Sequence, residues 1–228
     1  MQQIFSSISF CFRNLSYLFI LCLPIMTLEV SLASLIASLD IQSSSDAAAL
    51  ETMSKISGQV ALLVFTSLIL SVALSGGCMV AYRSLSNDGL LSPYQALFEG
   101  LKKFFPLLWA NILHSFAYGL GFLMLILPGF YLYGRLGLFP LFIMFENKGV
   151  IDSLSESWNF TEEVATKLFA LTSFFMGIQL AFGFLASIAG IDSELWFLIL
   201  ATSFKYATLM PLFYLFYTLY ESNKCDQS

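Results

Sequence analysis

Hydrophobic positions along this chain fall into long blocks separated by short polar interruptions. The blocks are close to the ~20 residues that an α-helix needs to cross a bilayer core of ~30 Å. Six spanning helices are predicted, at about 14–39, 59–82, 104–127, 130–145, 164–189 and 195–220.

The interruptions carry their own patterns. Residues 40–58 are rich in Ser and Ala, hold Asp40, Asp46, Glu51 and Lys55, and read as a loop with one short surface helix. Ser92-Pro93 reads as a helix start, with Ser92 as cap and Pro93 at the first helical position. Ala96, Leu97, Gly100 and Leu101 then oppose Glu99, Lys102 and Lys103. Over 150–160, Val150, Ile151, Leu154 and Trp158 share a face, and Asp152, Ser155, Glu156 and Asn159 share the other. Both patterns predict amphipathic helices lying on the membrane surface. Each leads into a spanning segment, with Leu97 and Leu154 at matching places. Either a duplication or a common need to cover loops accounts for that weak repeat. Pro128-Gly129 is expected to reverse the chain between the third and fourth segments. Ser67, Ser71, Ser75, Gly76 and Gly77, and then Ser115, Gly119 and Gly121, are spaced for close helix packing. Residues 190–194 form a tight loop before the last segment.

Composition narrows the class. Apolar residues make up 58% of the chain and charged residues 11%, where soluble domains carry about 25% charged residues. The expected fold is all-α: a polytopic six-helix bundle with two short interfacial helices, one integral membrane domain over 1–228. Small residues from Ala33 to Ser38 resemble a signal-peptide cleavage site, but the apolar run is too long for one and Glu29 stands near its centre. Arg13, Arg83, Lys102, Lys103, Lys148, Lys167 and Lys224 fall on the side of the termini and only Lys55 falls opposite, which predicts cytoplasmic termini. The net charge of -5 is spread thinly and offers no nucleic-acid surface. Cys11, Cys22, Cys78 and Cys225 form no CxxC pair and read as isolated thiols.

Chemistry-bearing residues are few. His114 is the only histidine, which excludes a histidine-based metal site, and no metal or other cofactor is expected. No Gly-x-Ser-x-Gly elbow or phosphate-binding Gly-rich loop occurs. Glu29, Arg135 and Lys205 sit inside apolar segments, where a charge costs ~2.5–3.5 kcal/mol on insertion scales. Glu29 and Lys205 each lie ~15 Å from the outer end of their segment, and Arg135 ~9 Å below the Pro-Gly turn. Three arrangements are open: an ion pair of Glu29 with Lys205, Arg135 or both; a polar site for an anionic head group or solute; or Arg135 reaching to the outer surface. His114, at mid-depth, reads as a hydrogen-bonded packing residue.

One run is more specific. Leu127-Pro128-Gly129 leads a short apolar helix with Arg135 and Pro140, then Glu146-Asn147-Lys148-Gly149, then Ser155-Glu156-Ser157-Trp158-Asn159-Phe160-Thr161. With Phe12-Arg13-Asn14 near the start and the Gly76-Gly77 pair, this order resembles the YciC family of bacterial inner-membrane proteins. It is also similar to membrane domains attached to glycerophosphodiester phosphodiesterases. The resemblance implies a polytopic inner-membrane protein and supplies no settled activity. Arg135 stands where an apolar residue can stand in relatives, so no shared role attaches to it. The expected function is non-enzymatic, in envelope homeostasis or a membrane complex. The alternative is a carrier or flippase-like protein for a lipid or small solute, working through Glu29, Arg135 and Lys205. The expected partners are the lipid bilayer, then a protein or a second copy under the first reading, and a lipid or small solute under the other.

Overall fold

A computed structural model describes the backbone over residues 2–42, 48–87, 89, 91–191 and 194–225, and side chains over 6–36, 58–87, 89, 91–191, 194–222 and 224. The protein is an all-α polytopic bundle. Its helices are α1 (Gln2–Arg13), α2 (Leu15–Gln42), α3 (Ala48–Ser86), α4 (Pro93–Lys102), α5 (Phe104–Met124), α6 (Ile126–Leu136), α7 (Phe139–Glu146), α8 (Val150–Phe160), α9 (Ala165–Ala189) and α10 (Leu195–Cys225). Six segments are long and apolar enough to cross a membrane: Leu15–Ile36, Gly58–Ser86, Phe104–Met124, Ile126–Glu146, Ala165–Ala189 and Leu195–Ser222. Large apolar side chains such as Phe19, Phe65, Phe116 and Phe184 face outward, as a lipid-facing surface requires.

Several boundaries differ from the sequence expectation. The opening stretch before the first span is itself a helix, α1. Asn14 N–H donates to the Phe10 carbonyl and Leu18 N–H to the Asn14 carbonyl, so helical hydrogen bonding runs through the α1–α2 junction. Much of 40–58 is helical too, because α2 continues to Gln42 and α3 begins at Ala48. The side chains of Asp40, Asp46, Glu51 and Lys55 lie outside the described residues. The fourth segment is two helices, α6 and α7, broken at Gly137-Leu138, and it is the most buried of the six.

The two amphipathic helices form, each with one face exposed and the other packed into the bundle. α4 starts where expected: Ser92 Oγ accepts from Gln95 N–H while Ser92 N–H donates to Gln95 Oε1, a capping box. It then packs against α3 at backbone contact. A Cβ on Gly77 would meet the Ala96 carbonyl at 2.9 Å, and one on Gly100 would strike the Ala73 carbonyl. Of the first small-residue row, Ser75, Gly76 and Gly77 are buried at such contacts, while Ser71 faces outward.

α8 keeps its expected polar face outward, with Asp152, Ser155 and Asn159 exposed, but buries only part of the expected apolar face, Val150 and Leu154. Ser153 and Ser157 are fully buried, whereas Ile151 and Trp158 face outward. The buried face is Ser153 and Ser157 flanked by Val150 and Leu154, because α8 packs against α5, α6 and α7 and its hydroxyls bond there.

The turn between the third and fourth segments also moves. α5 ends at Met124, a single extended residue, Leu125 (φ -164°, ψ 149°), reverses the chain, and Pro128 and Gly129 lie inside the first turns of α6. Gly129 supplies closeness instead of reversal: a Cβ on Gly121 would meet its Cα at 2.9 Å. Gly119 has open space around it and Ser115 is exposed, so of that second row only Gly121 serves packing.

Candidate functional site

The intramembrane charges separate into two sites. At the first, α10 sets Lys205 against α2. Its ammonium donates to both oxygens of Glu29, at 2.8 and 2.9 Å, and the Tyr206 hydroxyl donates to Glu29 Oε1 at 3.0 Å. One α-helical turn along, Gln179 of α9 donates to Thr208 Oγ1 at 2.6 Å. The pair is open laterally, with the Lys205 side chain 46% exposed. Glu29 and Lys205 thus form the ion pair that their charges invite.

Arg135 does not join that pair. It is 4% exposed and belongs to α6, α7 and α8. Nη2 donates to the Trp158 carbonyl at 2.6 Å, and the guanidinium stands over the Trp158 ring at 4.2 Å and near the Tyr131 ring at 5.8 Å. Two helix C-termini converge on it, since Arg135 is in the last turn of α6 and Trp158 in the last turn of α8. Each carries unsatisfied carbonyls and about half a negative charge, and a guanidinium suits both. The aromatic faces add attraction. Arg135 Nε has no hydrogen-bond partner among the described residues. The sequence alternatives for Arg135, an ion pair with Glu29 or a reach to the outer surface, give way to this cage.

The same node repairs the α6–α7 break. Ser157 Oγ donates to the Arg135 carbonyl at 2.8 Å and accepts from Leu138 N–H at 3.2 Å, while Thr161 Oγ1 donates to the Arg135 carbonyl at 3.1 Å. A helix broken inside a membrane frees backbone groups that water cannot satisfy. Here two hydroxyls four residues apart on α8 and its cap do so. Their signal was present in the chain as Ser153, Ser157 and Thr161 at helical spacing, the pattern read elsewhere as close packing. The role of Thr161 and the burial of Ser153 were not foreseen.

The other motif residues are pinned around this node. Asn147 adopts the left-handed conformation at the end of α7 (φ 55°), which asparagine tolerates better than most side chains. Gly149 (φ -65°) caps α8 without needing that region. Lys103 donates to the Ile143 and Met144 carbonyls at 2.7 and 3.2 Å and also reaches Asn147 Oδ1. It thereby closes the C-terminal end of α7, and burial pulls its ammonium below the usual lysine range. Glu146 accepts from the Tyr220 hydroxyl at 2.8 Å and pairs with Lys148 at 3.2 Å and Lys224 at 3.5 Å. Leu127 lies exposed at the hairpin tip, and Trp158 packs on Arg135.

His114 stands apart from both charged sites. It is buried among Tyr118, Tyr133 and Phe139, with Nε2 3.4 Å from the Tyr133 carbonyl, as expected of a packing histidine. Cys11, Cys22 and Cys78 are free thiols; the Cys225 side chain lies outside the described residues. A cavity of about 410 Å³ opens between α1, α2, α9 and α10, with Cys22, Met26, Phe175, Ile178 and Met210 in its wall and Ser203 and Thr208 among its few polar residues. Neither Arg135 nor Lys205 lines it. Comparison of the chain with protein-family models, with curated proteins and with solved structures finds no match.

Proposed function

We propose that this chain is a non-enzymatic multi-pass protein of the bacterial inner membrane, a YciC-like component of envelope homeostasis or of a membrane complex, with both termini in the cytoplasm. The observation that carries this reading is the mutual satisfaction of the charged groups. Glu29 and Lys205 satisfy each other, and Arg135 is spent on helix ends and aromatic faces. Groups arranged this way stabilise helix packing and leave little free to coordinate a passing solute. The orientation rests on seven basic residues on the side of the termini against Lys55 opposite.

The apolar cavity supports a second reading, a lipid carrier whose acyl-chain site lies beside α10. Reconstitution in liposomes separates the two. Under the first reading, movement of a fluorescent phospholipid between leaflets matches protein-free liposomes, and Arg135→Ala and Lys205→Ala change nothing. Protein-dependent movement of the phospholipid would overturn it. A reporter fused to the C-terminus is expected to be active only in its cytoplasmic form.

A further inference from the structure

The hairpin of α5 and α6 ends unlike the other turns on its side of the bundle. From Gly119 to Phe130 no side chain is polar. At the tip, Leu123, Met124, Leu125, Ile126 and Leu127 are 62–84% exposed. By contrast, the sequence joining α9 to α10 holds Asp192, Ser193 and Glu194, and that joining α2 to α3 holds Ser43, Ser44, Ser45 and Asp46. A turn that emerges into water has no need of five bare aliphatic side chains.

The hairpin is also short. Gly134 of α6 lies against Leu168 and Thr172 of α9. From Gly134 back to Ile126, α6 rises ~12 Å, while α9 rises ~26 Å from Thr172 to Ala189. On the other flank, Asn111 of α5 donates to Ser75 of α3. From there α5 rises ~20 Å to Met124, while α3 extends ~26 Å to Gly58. Against either neighbour the tip stops below the far end of the apolar span.

Its backbone is economical in polar groups. The reversal takes one residue, Leu125, whose N–H donates to the Gly121 carbonyl at 3.0 Å. Pro128, in the first turn of α6, has no N–H to leave unsatisfied. Gly121 and Gly129 let the two arms touch. Of the first-turn donors of α6, only the N–H groups of Ile126 and Leu127 are left without a side-chain cap, a cost that a tip seated in hydrocarbon must carry.

The geometry points to a re-entrant hairpin: α5, α6 and α7 enter from the side of the termini and return to it, and the tip from Leu123 to Leu127 is seated among the acyl chains of the bilayer. The complete crossings are then α2, α3, α9 and α10. The termini stay on one side, because a hairpin that returns preserves the parity of the count. This inference is independent of the function proposed above.

Single-cysteine labelling tests it in intact, right-side-out vesicles, with the native cysteines replaced. Glu194→Cys is expected to react with a membrane-impermeant maleimide added from the far side. Leu125→Cys is expected to react at least about tenfold more slowly, because a thiol in hydrocarbon forms little thiolate. Equal rates would overturn the inference. Leu125→Trp in the otherwise native chain gives a second readout that spares the buried cysteines. Its added fluorescence is expected to be quenched by lipids brominated in mid-chain and not by aqueous acrylamide. Quenching by acrylamide would place the tip in water. Quenching by neither would place a protein surface over it, and either result would overturn the inference.

Discussion

Lys205 and Arg135 are both cations within apolar helices, and the fold neutralises them by different means. Lys205 meets a carboxylate, with Glu29 reached across two helices and Tyr206 assisting. Arg135 meets no carboxylate among the described residues; its counter-charge is the carbonyl ends of α6 and α8 and the faces of Trp158 and Tyr131. The first arrangement joins two side chains and can be exchanged as a unit. The second is tied to the backbone, because Ser157 and Thr161, which satisfy the α6–α7 break, grip the carbonyl of the same arginine. A cation held by a counter-ion is replaceable, whereas one held by chain geometry is part of the fold.

That contrast can be broken at either end. The largest effect is expected for Ser157→Val, which strips the Arg135 carbonyl and the Leu138 N–H of a partner and adds volume at a fully buried position. A loss of about 4 kcal/mol follows from the unpaired groups and overpacking, read as lowered thermal stability in detergent or nanodiscs. Stability equal to wild type would show that the break needs no side-chain support. Glu29→Gln comes next, at about 2–3 kcal/mol, less than a fully enclosed pair because Lys205 is partly exposed. Arg135→Leu should cost about 2 kcal/mol through the lost charge-assisted bond to the Trp158 carbonyl, which keeps only the Thr161 hydroxyl at 3.2 Å, and the lost ring contact. A stability gain there would reverse the reading of Arg135 as a neutraliser of helix ends. Smallest is the pair of changes Glu29→Gln with Lys205→Met, expected within about 1 kcal/mol of wild type, since a buried pair exchanged as a unit is often neutral. If the double variant is no better than Glu29→Gln alone, the pair is not an independent unit.

Much of the bundle was legible in the chain. Segment length and apolarity located all six membrane-length helices, and Ser92-Pro93 marked the start of α4. Glu29 and Lys205 share a depth, each lying the same distance from its helix end, but depth alone left Arg135 equally open as the partner of Glu29. Arg135 was misplaced for a physical reason: its partners are backbone carbonyls, and a carbonyl has no letter in the sequence. α8 is rotated from its expected orientation, with Ile151 and Trp158 outward, because an amphipathic pattern assumes that polar side chains seek water, while Ser153 and Ser157 serve a contact inside the bundle. Pro128-Gly129 was read as the turn because both residues permit one; their use as a donor-free position and a close contact depends on α5, which local pattern does not contain. α1 escaped notice because its polar serines broke the apolar run from which the first span was counted.

The bonds at the α6–α7 break also bear on how the protein is made. Arg135 and Leu138 leave the ribosome well before Ser157 and Thr161, which complete their hydrogen bonding. Until α8 has been synthesised, the fourth segment carries an uncompensated cation and an open backbone, so its settled place in the bilayer cannot precede that moment. Membrane insertion of this region is therefore a joint event of α6, α7 and α8, not the release of one finished helix at a time.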